Sequence, residues 1–77
     1  MAKTLWSRRY KALLNVLIAL RKEAGFTQRD LAEHLNRPRS YVSKIETAER
    51  RVDPVECEEW ARACGKDPLE LFARFLR

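Results

Sequence analysis

The run FTQRDLAEHLNRPRSYVSKIE, residues 26–46, carries two helix signals so close together that little but a turn fits between them. Thr27 is a good N-cap with Asp30 three residues on, a variant of the capping box that usually carries Glu or Gln. Leu31, Ala32 and Leu35 then describe one apolar helical face. Asn36 stands where the chain must leave that helix, and Asn tolerates the left-handed conformation. Pro38 restarts a helix at its first turn, where no N–H is needed. In that second segment Val42 and Ile45 point inward, leaving Arg39, Ser40, Ser43 and Lys44 outside. Two short helices joined by such a turn make a helix-turn-helix, here over residues 27–46.

The flanking sequence supplies more helices. One runs from about Ser7 to Ala24, with Leu13, Leu17 and Leu20 as its core face. Leu14 and Ile18, with Tyr10 and Trp6, form a second stripe. Gly25 ends it, and Phe26 plugs the corner. Asp53-Pro54-Val55-Glu56 starts another helix, reaching about Cys64 before Gly65, with Val55, Cys57, Trp60, Ala61 and Cys64 facing the core. Asp67-Pro68-Leu69-Glu70 repeats that cap for a last helix to Leu76, in which Leu69 and Phe72 complete the core. Two Gly and three Pro, with no period-2 alternation, make the expected fold all-α. Residues 1–77 form one domain, with 1–6 as a loose lead-in. Leu14, Ile18, Leu71, Phe75 and Leu76 exceed what a minimal core needs. Either those of the first and last helices cover one another, or together they are the candidate homodimer surface, with helix 68–76 as a contact.

Several function classes are set aside. The N-terminus lacks the apolar run and cleavage site of a signal peptide. The longest uncharged run, Ala12 to Leu20, is nine residues, too short to span a bilayer. The expected location is therefore the cytoplasm, without membrane contact. Cys57 and Cys64 lie two helical turns apart, roughly 10.5 Å, too far for a mutual disulfide. With one His and no CxxC no zinc ligand set is formed, so the cysteines read as core residues and no metal, cofactor or small-molecule ligand is expected. No nucleophile–base set or glycine-rich phosphate loop supports an enzyme.

Charge is unevenly divided. Residues 1–52 hold twelve Lys/Arg and five Asp/Glu, +7, and residues 53–77 hold four and six, −2, which together give the chain's +5. The basic half carries the helix-turn-helix, as a surface that sits on phosphates requires.

Leu20-Arg21-Lys22-Glu23-Ala24-Gly25-Phe26-Thr27-Gln28, then Leu31-Ala32, then Ser40-Tyr41-Val42-Ser43-Lys44-Ile45-Glu46, resembles the Cro/cI-type (Xre-like) helix-turn-helix family. The resemblance runs from about Leu17 to Phe72 and is closest to small bacterial and mobile-element regulators. It implies a five-helix lambda-repressor-like domain whose second and third helices are the helix-turn-helix. It also implies that Arg21 in the first helix pairs with Glu46 at the end of the recognition helix. Such a helix enters the major groove by its N-terminal end, which makes Arg39, Ser40, Ser43 and Lys44 the base-reading candidates, with Arg39 suited to guanine. Gln28 matches the residue that bonds a phosphate and braces the recognition helix. Tyr41, Arg37, Arg50 and Arg51 are the further backbone contacts. Two positions depart from the pattern. Ala48 replaces the Gly that closes the recognition helix, so a less sharply turned or longer end is expected, and Arg37-Pro38 replaces a Ser or Thr cap. The implied function is a sequence-specific transcriptional regulator, a repressor binding duplex DNA at a palindromic operator as a homodimer. The alternative is a protein-interaction module of antitoxin or anti-activator type, against which the basic face Arg37, Arg39, Lys44, Arg50 and Arg51 argues.

Overall fold

Four residues with left-handed backbone fix where helices stop in the chain, whose structure, a computed structural model, describes residues 7–77. The lead-in 1–6, and with it Trp6 of the second stripe, lies outside the described residues. Five helices follow in order: α1 Arg8–Glu23, α2 Gln28–His34, α3 Ser40–Glu46, α4 Pro54–Ala63 and α5 Pro68–Leu76. The four residues are Gly25, Asn36, Ala48 and Gly65. At Gly25 and Asn36 the residue's own amide and the next one turn back onto the helix: Gly25 N–H to Lys22 O (3.0 Å) and Phe26 N–H to Arg21 O (3.2 Å), then Asn36 N–H to Glu33 O (3.0 Å) and Arg37 N–H to Ala32 O (2.9 Å). A Cβ on Gly25 would meet nothing within 4 Å, so backbone angle and not space requires glycine there.

Ala48 corrects the expectation of a longer or softer end. α3 stops at Glu46, and Ala48 itself takes φ 66°, donating to Ile45 O at 3.0 Å. Alanine meets a cost of about 1–2 kcal/mol in this conformation, and its buried methyl returns part of it.

The helix starts are equally local. Thr27 and Asp53 each form a reciprocal capping box, with Asp30 and Glu56. At α5 the repeat of that box does not form. Asp67 accepts from Leu69 N–H (2.9 Å), while Glu70 turns away to Arg74. α3 begins two residues beyond Pro38, with Arg39 at its N-cap and no side-chain cap bond.

α1 packs against α3, α4 and α5, with α2 on α3 and α4, and α4 on α5. Trp60 of α4, fully buried, donates its indole N–H to Leu17 O of α1 (3.0 Å) and joins the two helices at the centre of the core. Tyr10, Leu14, Leu17 and Leu20 are the buried face of α1, so the core stripe runs through Leu14 and not Leu13, which is half-buried. Leu14 and Leu71 are therefore core residues and not partner-facing ones. Phe75 is half-buried beneath Arg9, whose guanidinium carbon lies 4.2 Å from the ring centroid. Val55 and Leu69, expected inside, are exposed. Each lies two residues, about 200°, from the nearest core position of its helix, Cys57 or Leu71. Among the described residues the unpartnered apolar stripe is thus Leu69, Ala73 and Leu76, flanked by half-buried Phe72. Cys57 and Cys64 are buried free thiols, pushed up to about 11 by burial.

Ion pairs close the periphery. Arg74 of α5 grips Glu23 of α1 with two bonds (2.8 and 2.9 Å), and Arg50 grips Glu56 (2.9 and 2.8 Å). The guanidinium bonds, helped by Lys66 at Glu23 and by the Asp53 N–H at Glu56, lower each carboxyl from its ordinary 4.5 to about 2. The unfolded chain therefore takes up these protons first. The stabilisation is full above pH 4.5 and is lost as pH falls from 4.5 toward 2. Urea unfolding across this range should show Glu23→Gln below wild type at pH 7, with the gap closing by pH 2. A gap that stays constant with pH would rule out this contribution.

Candidate nucleic-acid interface

Successive residues of α3 turn by about 100°. Tyr41, Val42 and Ile45 are buried against the other helices, and Ser40, Ser43, Lys44 and Thr47 fall on the opposite arc. Arg39, Ser40 and Lys44 are exposed, and among the described residues neither cation has an ion-pair partner. Ser43 is half-buried, with its hydroxyl donating to Ser40 O at 3.1 Å. Its proton is therefore committed within the helix. Thr47 shares the arc and was not among the sequence candidates. The i, i+3, i+7 spacing from Ser40 and Ser43 is the signal that marks it.

The helix is held from its other end. Glu46 receives Arg21 Nε on Oε2 (2.7 Å) and Arg21 Nη2 on Oε1 (3.1 Å), and Gln28 Nε2 donates to the same Oε1 (2.8 Å). Arg21 Nη1 also donates to Phe26 O at 2.9 Å, across the corner after α1. The side chains of Arg21 and Glu46 are 11% and 6% exposed. One carboxylate thus ties α1, the start of α2 and the end of α3 together. Gln28 keeps one amide hydrogen free of this network. Beside it Arg29 is exposed and without an ion pair among the described residues, a cation that sequence reasoning passed over.

The remaining expected contacts are placed differently. Tyr41 is only 7% exposed, with the guanidinium carbons of Arg37 and Arg50 at 5.0 and 5.1 Å from its ring centroid. Burial pushes its hydroxyl up to about 12, so it stays neutral. Both arginines are engaged by α4, Arg37 with Glu59 (2.9 Å) and Arg50 with Glu56. Arg51 lies over the Tyr10 ring at 4.5 Å. His34 stacks on Phe26, with ring centroids 4.4 Å apart.

Residues 12–75 match a family model described as a helix-turn-helix domain. The fold also matches a solved structure described as an XRE-family like protein from Pseudomonas syringae pv. tomato str. DC3000. The TM-score is 0.86 and the identity 45%, over 97% of this chain and 92% of that one. The chain belongs to the XRE helix-turn-helix family. No curated protein matches it. As an XRE-type protein it is a DNA-binding regulator, and α2 and α3 are its helix-turn-helix. Among the described residues no helix is long and apolar enough to cross a membrane. Nor does any group of three or more His, Cys, Asp or Glu there form a metal site.

The Glu46 network generates a stability prediction. Arg21→Met leaves a buried carboxylate with only Gln28, and should cost about 3–5 kcal/mol in denaturant unfolding. Adding Glu46→Leu should recover most of that loss, because two apolar side chains leave no unpaired charge. Equal stability of wild type and Arg21→Met would show that the pair contributes nothing.

Proposed function

We propose that this XRE-family protein is a sequence-specific repressor that lays α3 in the major groove of duplex DNA and occupies a palindromic operator as a homodimer. The observation that carries the reading is the outer arc of α3. Arg39, Ser40 and Lys44 are exposed, with no side-chain partner among the described residues, on a helix whose far end is fixed by three donors on one carboxylate. Arg39 suits the O6 and N7 of guanine, a contact that discriminates by about 1–3 kcal/mol. Lys44 reaches a base or a phosphate. Gln28, Arg37 and Arg51, joined by Arg29, supply backbone contacts that set register and carry no sequence information. Tyr41 serves as the platform for Arg37 and Arg50 in place of a direct contact. Repression follows from occupancy, since a bound domain blocks the duplex to other proteins.

A second copy doubles the number of bases read, with half-sites about one helical turn apart. The stripe Leu69, Ala73 and Leu76 supports this. It is apolar and uncharged, so two copies meeting across a two-fold axis place no like charges together.

Selection from a random duplex library at about 150 mM salt should enrich an inverted repeat. Arg39→Ala should flatten a G·C preference once per half-site, whereas Gln28→Ala should weaken binding to all sequences alike. Uniform retention that disappears with added salt would overturn the reading and favour a protein partner. Sedimentation at micromolar concentration should find a dimer. Leu69→Glu with Leu76→Glu, at positions 75% and 70% exposed, should give a folded monomer. A wild-type monomer under these conditions counts against the dimer.

A further inference from the structure

Arg37 and Arg50 lie against the same tyrosine and pair with the same helix, yet they are held very differently. Arg50 makes two parallel bonds to Glu56 and a third to Arg51 O (3.0 Å). Glu56 also accepts from Asp53 N–H (3.1 Å) in the α4 capping box, and its side chain is 11% exposed. That pair belongs to the start of α4. Arg37 makes one bond to Glu59, at 2.9 Å, with side-chain exposures of 33% and 43%. Among the described residues Glu59 has no other partner. An ion pair this open is weak and is exchanged at little cost.

Its position gives the exchange a consequence. Arg37 lies in the turn that leads into α3, next to Pro38 and Arg39. A phosphate offers a guanidinium the same charge-assisted acceptor as a carboxylate. We propose that Glu59 is an internal stand-in for a DNA phosphate: it holds Arg37 on the Tyr41 ring in the free protein and yields it to the duplex backbone on binding. This rests on the DNA-binding reading above and adds a residue that tunes affinity without touching DNA. Once Arg37 has moved, Glu59 is left as an unpaired negative charge near the phosphates. It then weakens binding and takes up a cation, which offsets part of the counterion release that makes binding salt-dependent.

The test compares neighbouring glutamates on full-length protein, with affinity for the selected duplex measured across a salt series. Glu59→Gln should bind roughly two- to fivefold tighter at low salt, with a log–log salt slope steeper by up to about one unit. Glu58→Gln removes the same charge one residue away. Glu58 pairs instead with Arg62 within α4, at 3.2 Å, so its loss should shift affinity much less. In an Arg37→Ala background, where only the direct repulsion between Glu59 and the phosphates remains to be relieved, Glu59→Gln should gain clearly less; a melting curve close to wild type confirms that each variant is folded. Equal gains from Glu58→Gln and Glu59→Gln, or a Glu59→Gln gain undiminished by Arg37→Ala, would overturn the proposal while leaving DNA binding intact. Wild-type protein that retains no duplex would instead overturn the DNA-binding reading itself, and this proposal with it.

Discussion

The carboxylate of Glu46 lies at the C-terminal end of α3, where the helix dipole disfavours negative charge. Burying it as well costs several kcal/mol unless its oxygens are well bonded. Arg21 and Gln28 meet that requirement with three donors. The same guanidinium satisfies Phe26 O, the carbonyl of the corner between α1 and α2. The direction of α3, the entry of α2 and the end of α1 therefore depend on one group of charges, and none can shift without unpairing another. A hydrophobic contact at this place would be cheaper to bury. It would not fix three directions at once, because apolar contact is non-directional.

The arrangement of charge matters more than its total. Among the cations that give the N-terminal half its excess, Arg21, Arg37 and Arg50 are matched by carboxylates of Glu46, Glu59 and Glu56. Two of those partners come from α4, in the acidic half of the sequence. Arg39, Lys44 and Arg29 remain exposed and unpaired among the described residues, and they flank the surface assigned to DNA. The sequence-level excess overstates how many of these cations are free.

How much was legible in the sequence follows the range of each interaction. Helix ends are set by neighbours within four residues, so Thr27, Gly25, Asn36 and Asp53 could be read directly. Rotational phase was harder. Leu13 and Leu14 are adjacent and both apolar, and only the neighbouring helices decide that Leu14 is buried. Val55 and Leu69 sit in first helical turns, where an apolar residue and a strong cap together suggest burial that the phase denies. Glu70 had the right spacing for a capping box, but Arg74, already held by Glu23 of α1, offers it a better partner. Tyr41 was expected among the contacts to the DNA backbone. The packing of α3 on its neighbours buries the ring instead. Each miss was decided by a contact distant in sequence.

The unequal ends of α3 follow from its length. Seven residues make a helix far below the roughly 12–15 at which an isolated helix becomes stable in water. Its shape must be imposed from outside, and the buried residues Val42 and Ile45 with Glu46 do so along the inner face and at the C-terminal end. The N-terminal end has no side-chain cap, and Arg39 there projects into solvent with nothing engaging it among the described residues. A side-chain cap at that position would serve the free protein, but it would replace the residue proposed to read a base. The free protein forgoes local stability at one end of the helix, where a ligand can act, and concentrates rigidity at the other, where Glu46 resists any change of direction.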